Sequence, residues 1–280
     1  MTSPFRIAAC QIDVKYGALA GNLQAMQEQV HPLASQGVFL IAFPECSLSG
    51  YCCQSIDEAR EIAVERDSRL IDQAAHLARD CGVNLVFGFL ERQDQRVLNT
   101  AALVTRGGQR HFYHKVHLPM LGVDQFTTAG CEYPVVEVEG LRIGLNICYD
   151  CSFPEPARIL ALAGADLIVL PTNWPPGTET TAQHIPNARA IENNVYFMAV
   201  NRVGDERGFH FIGKSKICDP AGHDLAFADH DRPQILVAEI DASIARNKHL
   251  VRVPGKHEVD RLADRRPETY TAITRPIKIP

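Results

Sequence analysis

The chain has 280 residues, of which 46% are apolar and 22% are charged, and its formal net charge is -5. This composition is typical of a folded protein with a large core and excludes a disordered chain. Lys and Arg are neither in excess nor clustered, which argues against a nucleic-acid partner. No apolar run approaches the ~20 residues of a membrane span, so we expect no membrane partner.

Predicted strands and helices alternate through the first half of the chain. Short apolar runs predict strands, and apolar residues at helical spacing, such as Leu19, Leu23 and Met26, predict helices. In chain order this gives a strand at 5–12, a helix at 18–35, a strand at 38–43, a helix at 56–79, strands at 83–90 and 97–105, a turn at 107–108 and a return strand through 112.

The same alternation recurs in the second half. It predicts a strand at 141–147, a helix at 155–163, a strand at 167–170, a helix at 180–192, a strand at 195–201, and shorter strands near 211 and 217 and at 235–240. The buried strands lack polar alternation, so we predict an α/β fold whose sheets are covered by helices.

Features missing from the sequence predict the domain organisation and the cellular compartment. No linker rich in Pro, Gly or Ser interrupts the chain, so we predict a single domain over 1–280. Its charged, irregular C-terminal extension, about 241–280, is expected to pack on the body or on a partner subunit. Nine cysteines is an odd count without the spacing of a disulfide framework, and the N-terminus shows no secretory pattern. We therefore predict a cytoplasmic protein with mostly buried, reduced thiols.

Three chemically capable side chains follow strand-like segments. Cys148 follows the apolar run 141–147, Glu45 directly follows another such run, and Lys115 lies where an extended segment approaches a proline. Taken singly, they are typical of an inert core cysteine, a surface carboxylate and a solvated lysine. Together they supply a nucleophile, a proton acceptor and a cation for an oxyanion.

These groups suit acyl transfer from nitrogen. Glu45 takes the proton of Cys148, whose sulfur then attacks an amide carbon or, alternatively, a nitrile carbon. The ammonium of Lys115 and the backbone N–H of Tyr149 stabilise the oxyanion. Glu45 then protonates the departing ammonia or amine and activates the water that hydrolyses the thioester. This scheme requires no metal and no cofactor.

Three motifs carry a resemblance to a known family. They are Phe43-Pro44-Glu45, Tyr113-His114-Lys115-Val116-His117-Leu118 and Asn146-Ile147-Cys148-Tyr149-Asp150. With these motifs, and weaker matches over about residues 5–240, the chain resembles the nitrilase superfamily of carbon-nitrogen hydrolases, whose catalytic triad is Glu, Lys and Cys. The resemblance implies that Glu45, Lys115 and Cys148 are catalytic and that the fold is a four-layer α-β-β-α sandwich. It also implies subunits paired across helices, as a homodimer or higher homo-oligomer.

The segment after the lysine motif departs from this resemblance. Family members commonly carry a second glutamate there, which helps to position the substrate and the lysine. The segment Pro119–Gly130 has no glutamate, and Asp124 is its only carboxylate. Asp124 therefore either reaches the site in place of that glutamate or belongs to a plain surface turn.

Other residues near the motifs have competing interpretations. Asn173 and Trp174 follow a predicted strand and either line the substrate pocket or pack at its rim. Arg189 is either a substrate clamp or, as we favour, a partner in a helix ion pair. His117 is expected to have a structural hydrogen-bonding role rather than to pair with the thiol. Cys151 completes a Cys-x-x-Cys spacing that lacks a second pair for zinc.

The sequence thus predicts an enzyme acting on a small linear amide or N-carbamoyl compound and releasing ammonia or an amine. The Tyr149-Asp150 pair after the cysteine resembles the amidase-like branch more than the nitrilase branch. The alternatives are nitrile hydrolysis to acid plus ammonia, a catalytically weak binding or assembly subunit, and a Cys-His acyltransferase or protease built on Cys148 and His117.

Overall fold

The structure is a computed structural model that describes residues 4–276, so the ends of the predicted domain, 1–3 and 277–280, lie outside the described residues. The strands are β1 (Phe5–Gln11), β2 (Leu40–Ala42), β3 (Asn84–Gln93), β4 (Arg96–Val104), β5 (Arg110–His114), β6 (Val135–Val138), β7 (Leu141–Leu145), β8 (Leu167–Thr172), β9 (Tyr196–Asn201), β10 (Val203–Glu206), β11 (Phe209–Ile212), β12 (Lys216–Cys218), β13 (Asp224–Phe227), β14 (Gln234–Ile240), β15 (Leu250–Val253) and β16 (His257–Val259). The α-helices are α1 (Leu19–Ser35), α2 (Ile56–Ile62), α3 (Arg69–Cys81), α4 (Pro154–Leu162), α5 (Glu179–Asn193) and α6 (Ala242–Arg246).

Two six-stranded sheets form the body of the molecule. Their strand orders are β14-β1-β2-β3-β4-β5 and β13-β12-β9-β8-β7-β6. In each sheet three neighbouring strands are parallel, β1 to β3 and β7 to β9, and antiparallel strands flank them. The predicted alternation of strands and helices supplies the parallel pairs, because parallel neighbours need a crossover connection.

The first sheet is apolar on both faces because each face packs against a different layer. In β1, Ile7 and Ala9 face the core between the two sheets, whereas Ala8 and Cys10 belong to the cluster formed with α1 and α3. This two-residue alternation follows from the pleat of the strand. It explains why the strands read as continuous apolar runs rather than as alternating ones.

The second sheet is covered on its other side by α4 and α5. Leu160 of α4 and Ala190 of α5 pack in one cluster with residues of β7, β8 and β9, such as Leu145 and Val169. The layers therefore run helix, sheet, sheet, helix. This is the four-layer α-β-β-α sandwich that the family resemblance implied.

The predicted helix at 56–79 is wrong, because the structure has two helices, α2 and α3, separated by an extended segment. Val64 lies in that segment and pairs with β3, donating to the carbonyl of Leu90 and accepting from the N–H of Arg92. Strand β2 is too short to pair with this part of β3. A helix through Val64 would leave these backbone groups of β3 without protein partners, so the chain extends instead.

The segment after residue 241 begins in contact with the body. Ala242 and Ala245 of α6 are buried in the core cluster, and the Arg246 guanidinium lies 2.6 Å from Asp166. The chain then forms the exposed hairpin of β15 and β16. The division into one domain and an extension stays a prediction.

Candidate active site

Glu45 lies three residues beyond β2, in a segment that runs close against β3. A Cβ atom at Gly88 of β3 would come within 2.2 Å of the Cys46 nitrogen and 2.8 Å of the Glu45 backbone. Only glycine permits this approach, in which the Gly88 N–H donates to the Pro44 carbonyl over 3.2 Å. The absence of a side chain at Gly88 therefore places Glu45 in the interior, where its side chain is buried.

Lys115 follows β5 and is fully buried. Its backbone N–H donates to the carbonyl of Asn99 over 2.9 Å, which continues the pairing of β5 with β4 beyond the end of the strand. The ammonium Nζ lies 2.7 Å from Oε1 of Glu45 and 2.5 Å from Oδ2 of Asp124. The structure thus brings Glu45 and Lys115 together across the sheet.

Asp124 is buried, in a 3-10 helix formed by Gly122–Phe126. Besides Lys115, it accepts from the hydroxyl of Tyr51 over 2.7 Å and from Nδ2 of Asn99 over 2.9 Å. Gly122 has a φ of 50°, and a Cβ there would lie 2.3 Å from the Tyr51 ring. This close packing turns Asp124 inward, so the surface-turn interpretation of this segment is wrong.

The charges of this cluster are unequal, with two carboxylates around one ammonium. Burial lowers the pKa of Lys115, but Asp124 and Glu45 outweigh burial and hold that pKa well above its ordinary value. Burial raises the pKa of Glu45 to about 7; Asp124 adds to this rise, while Lys115 and Asn99 oppose it. Lys115 therefore stays charged at neutral pH, and Glu45 exchanges a proton in that range.

Cys148 begins a second 3-10 helix, Cys148–Ser152, three residues beyond the end of β7 and directly after Ile147, whose backbone is still extended. Its φ is 43°, in the left-handed region that non-glycine residues seldom occupy. Backbone strain of this kind is concentrated at functional sites. Burial and Glu45 hold the pKa of this thiol well above its ordinary value, against Lys115, the Thr172 hydroxyl and the Asn173 N–H. A thiol in this environment needs a base to become a nucleophile.

His117 makes its contacts away from the cysteine sulfur. Its Nδ1 lies 2.8 Å from Oδ1 of Asp150, and its ring stacks on Phe153 with centroids 4.0 Å apart. The other oxygen of Asp150 accepts from the Tyr113 hydroxyl over 2.7 Å and from the Ile147 N–H over 2.9 Å. His117 and Asp150 thus brace the turn that carries Cys148, in line with the structural role expected for His117.

The remaining predicted site residues differ in their surroundings. Tyr149 has an exposed side chain, whereas Trp174 is buried and its backbone N–H donates to Oδ1 of Asn201 over 2.8 Å. Asn173 is fully buried, and neither polar atom of its side chain has a partner among residues 4–276. Arg189 donates to the Cys151 carbonyl over 3.0 Å and pairs with a glutamate one turn later, as expected for a helix ion pair.

Two residues of this site were missed by the sequence analysis. Asn99 lies inside β4 and contacts both Glu45 and Asp124, and Thr172, at the end of β8, is near enough to Cys148 to lower the pKa of its thiol. The sequence could have pointed to Asn99, because asparagine is depleted in strands and this one interrupts an apolar run. In the part of the chain that the structure describes, no group of three His, Cys, Asp or Glu residues is arranged to hold a metal ion.

The fold and the site define an α-β-β-α sandwich that carries a strained cysteine, two carboxylates and a lysine beyond the ends of its strands. The sequence profile of the family "Carbon-nitrogen hydrolase" matches residues 6–248, and the chain belongs to this family. The family resemblance found in the sequence is thereby confirmed. Within residues 4–276, no helix is both long and apolar enough to cross a membrane.

Three relatives illustrate the range of this family. The chain is 35% identical to "Nitrilase" of Pyrococcus abyssi, over 89% of this chain and 92% of the relative. It is 31% identical to "Omega-amidase YafV" of Escherichia coli B, over 80% and 85%. A mutant amidase from Nesterenkonia sp. AN1 in complex with acrylamide superposes with a TM-score of 0.84, at 25% identity over 97% of this chain and 98% of that one. Another mutant of that amidase shows covalent addition of the acetamide moiety of fluoroacetamide at its active-site cysteine, with a TM-score of 0.79 at 26% identity over 95% of each chain.

Proposed function

We propose that this protein hydrolyses a non-peptide C–N bond of a small linear amide or N-carbamoyl compound through a thioester on Cys148. The observation that carries this proposal is the buried contact of Glu45 with Lys115, whose charges both act on the thiol of Cys148 in its strained backbone. The acetamide adduct on the cysteine of the Nesterenkonia amidase supports it, because that adduct shows a relative's cysteine bonding to an amide compound.

In the acylation step, Glu45 accepts the thiol proton as the sulfur of Cys148 bonds to the amide carbon. The carbonyl π electrons move to oxygen, and the ammonium of Lys115 and the N–H of Tyr149 stabilise this oxyanion. One such donor contributes roughly 10²–10³ in rate in a site shielded from water. The tetrahedral intermediate then collapses, its C–N bond breaks, and Glu45 returns the proton to the leaving nitrogen.

In the deacylation step, Glu45 takes a proton from water, whose oxygen attacks the thioester carbon. The C–S bond then breaks, the carboxylic or carbamic acid leaves, and the thiol of Cys148 regains its proton from Glu45. A carboxyl group with a pKa of about 7 suits this alternation between acid and base.

Asp124 is proposed to take the place of the family's second glutamate. It contacts Lys115 and not the cysteine turn, so it keeps the ammonium charged and fixes its direction. Asn173 and Trp174 are proposed to position the substrate. The unpartnered side-chain amide of Asn173 is available to a polar group of the substrate, and the buried ring of Trp174 supplies an apolar wall.

Nitrile hydrolysis is the second candidate, because the relative from Pyrococcus abyssi is named a nitrilase. The same thiol would attack a nitrile carbon, and water would give the acid and ammonia. A binding or assembly subunit of weak activity is a third alternative, against which stands the buried Glu45–Lys115 pair beside Cys148.

A screen for ammonia and amine release tests the proposal. Purified protein would be offered short aliphatic amides, N-carbamoyl amino acids, ω-amides and nitriles, with Cys148→Ala as the blank. We expect turnover of at least one amide or carbamoyl compound and accumulation of an acyl group on Cys148, detected by intact mass. Turnover of nitriles alone would select the second candidate. No turnover, with iodoacetamide labelling Cys148 no faster than the other thiols, would support the binding subunit.

We also propose that the protein is a cytoplasmic homo-oligomer. Ile159 and Leu162 of α4 and Ile191 of α5 are exposed apolar side chains on the outer helical layer, which suits contact with a second subunit. All nine cysteines are free thiols, as in a reducing compartment. Light scattering during size-exclusion chromatography measures the subunit number, and a monomer would contradict the oligomer.

A further inference from the structure

Asn99 contacts both carboxylates of the site. It lies in the middle of β4 and is almost fully buried. Its Nδ2 donates to Oε1 of Glu45 over 2.7 Å and to Oδ1 of Asp124 over 2.9 Å. A side-chain amide carries two N–H bonds, and here each one has a carboxylate as its acceptor.

The orientation of this amide follows from its neighbours. Its oxygen accepts from the thiol of Cys46, with Sγ and Oδ1 3.6 Å apart. The reversed orientation would place this oxygen against two carboxylates, which have no proton to donate when ionised. The backbone carbonyl of Asn99 also accepts from the N–H of Lys115. One residue therefore contacts Glu45, Asp124 and Lys115.

The two oxygens of Glu45 are consequently not equivalent. Oε1 accepts from both Lys115 and Asn99, at 2.7 Å in each case. Oε2 is buried and has no hydrogen-bond partner among residues 4–276. Leaving a carboxylate oxygen unpaired in the interior is costly, and such groups in native proteins call for a functional explanation.

We propose that Asn99 is a positioning residue, which anchors Oε1 of Glu45 so that Oε2 is the oxygen that exchanges the proton with Cys148. This inference rests on the proposed function, in which Glu45 is the proton acceptor. Because two donors hold Oε1, the carboxylate of Glu45 cannot rotate. The lone pairs of Oε2 therefore keep a constant direction. The same N–H pair sets the distance between Glu45 and Asp124, whose charges repel.

The charged and titratable groups around Glu45 determine how Asn99 acts on it. They are Lys115 beyond β5, Asp124 in its 3-10 helix, the Cys148 thiol on the second sheet, the buried hydroxyl of Tyr51, and Cys46, which is next in the chain. Asn99 donates to the ionised form of Glu45, and such a bond lowers the pKa of a carboxyl group. Loss of this donor therefore raises the pKa of Glu45.

The test compares Asn99→Leu and Asn99→Asp with Asn84→Leu. Asn84 is a matched control, because it is a buried asparagine of the neighbouring strand β3 whose Nδ2 donates to the Phe39 carbonyl, away from the site. Asn99→Asp keeps the shape of the side chain if Asn99→Leu does not fold. The substrate-independent readout is the rate at which iodoacetamide alkylates Cys148 across pH, resolved by peptide mass. The catalytic readout is kcat and KM across pH on the best amide of the screen.

Both Asn99 variants are expected to show the rise of Cys148 alkylation with pH displaced to higher pH. Their kcat should fall by about 10- to 100-fold with KM little changed, as for a reacting group misplaced by ~1 Å. Asn84→Leu is expected to lose thermal stability while keeping the pH profile of the wild type. Asn99 variants that behave like Asn84→Leu, losing only stability, would overturn the inference.

Failure of this inference can be told apart from failure of the proposed function. If no amide is hydrolysed by the wild type, the proposed function fails, whatever the Asn99 variants show. If the wild type hydrolyses amides and Glu45→Gln does not, but the pH profile of Asn99→Asp coincides with that of the wild type, only the positioning role is wrong.

Discussion

The ammonium of Lys115 and the carboxylate of Asp124 lie 2.5 Å apart, and both side chains are buried. The two residues are nine positions apart in the chain, on the segment that leaves β5 and on the 3-10 helix that follows it. Because Glu45 shares the same ammonium, three charges occupy one buried cluster, and the charges of Lys115 and Asp124 both act on the pKa of Glu45. This arrangement leads to most of the predictions that follow.

The wild-type enzyme is expected to show a kcat/KM that rises with pH through about 7, the pKa to which burial raises Glu45. In the proposed mechanism, the free enzyme needs this carboxylate ionised to accept the thiol proton. Lys115 stays charged over the same range, since its pKa lies well above the ordinary value of 10.5. A pH profile of kcat/KM measures this, and a flat profile between about pH 5 and 8 would contradict Glu45 as the base.

Asp124→Asn is expected to move this rise to lower pH and to reduce kcat/KM. Asp124 raises the pKa of Glu45 through charge repulsion, so its neutralisation lets Glu45 ionise more readily. The ammonium of Lys115 loses one of its two anchors, and we expect a loss of roughly 10- to 100-fold from weakened oxyanion stabilisation. Asp72→Asn, which breaks the half-buried ion pair with Arg110 outside the site, is the control and should leave the profile unchanged.

Glu45→Gln is expected to lose activity by roughly 10²–10⁴ or more, since the site loses its general base. The same change should leave the protein as stable as the wild type, or more stable, at about pH 8. The pKa of Glu45 is higher in the folded than in the unfolded chain, so its contribution to stability is present below about 4.5 and is lost as pH rises through about 7. Glutamine avoids that loss.

Thermal melts of Glu45→Gln and the wild type at several pH values measure this difference. The advantage of Glu45→Gln in Tm should be greatest above pH 7 and should shrink toward pH 5, where the wild-type carboxyl is protonated. If Glu45→Gln is less stable than the wild type at alkaline pH and equally stable at acid pH, the ionised carboxylate of Glu45 stabilises the fold, and this prediction is wrong.

His117→Asn is expected to retain measurable turnover. His117 contacts Asp150 and Phe153 rather than the sulfur, so its replacement removes a support of the cysteine turn. We expect a loss of stability of about 1.5–3 kcal/mol, the range for a hydrogen bond to a charged group. Steady-state rates and a denaturant titration measure the two effects. Complete loss of acylation in a folded His117→Asn protein would instead support a Cys-His enzyme.

Gly88→Ala is expected to reduce both stability and activity. The added Cβ meets the backbone of Glu45 and Cys46, which cannot give way as a flexible side chain can. Overpacking of this kind costs about 1–3 kcal/mol or more and moves Glu45 from the ammonium. Gly107→Ala is the matched control, because its Cβ would meet only the Thr105 hydroxyl, at 3.6 Å. Similar melting temperatures for the two variants would show that the stability of the protein does not depend on the close approach at Gly88.

The sequence by itself determined the alternation of strands and helices and singled out Glu45, Lys115 and Cys148 as residues able to do chemistry together. Apolar periodicity reports which faces of an element are buried, and that is a local property of the chain. The prediction from periodicity failed at residues 56–79. There Val64 is extended because it pairs with backbone groups of β3, a partner distant in sequence.

Only the tertiary structure decided the positions and contacts of the residues that the motifs do not contain. From the sequence, Asp124 fitted both a surface turn and a place in the site, and Asn99 was assigned no role. Their contacts with Lys115 and Glu45 depend on close packing at Gly122 and on the pairing of β4 with β5, which join residues from separate segments. A motif records which groups are present, whereas the distances between buried charges, and hence their pKa values, arise only when the sheets assemble.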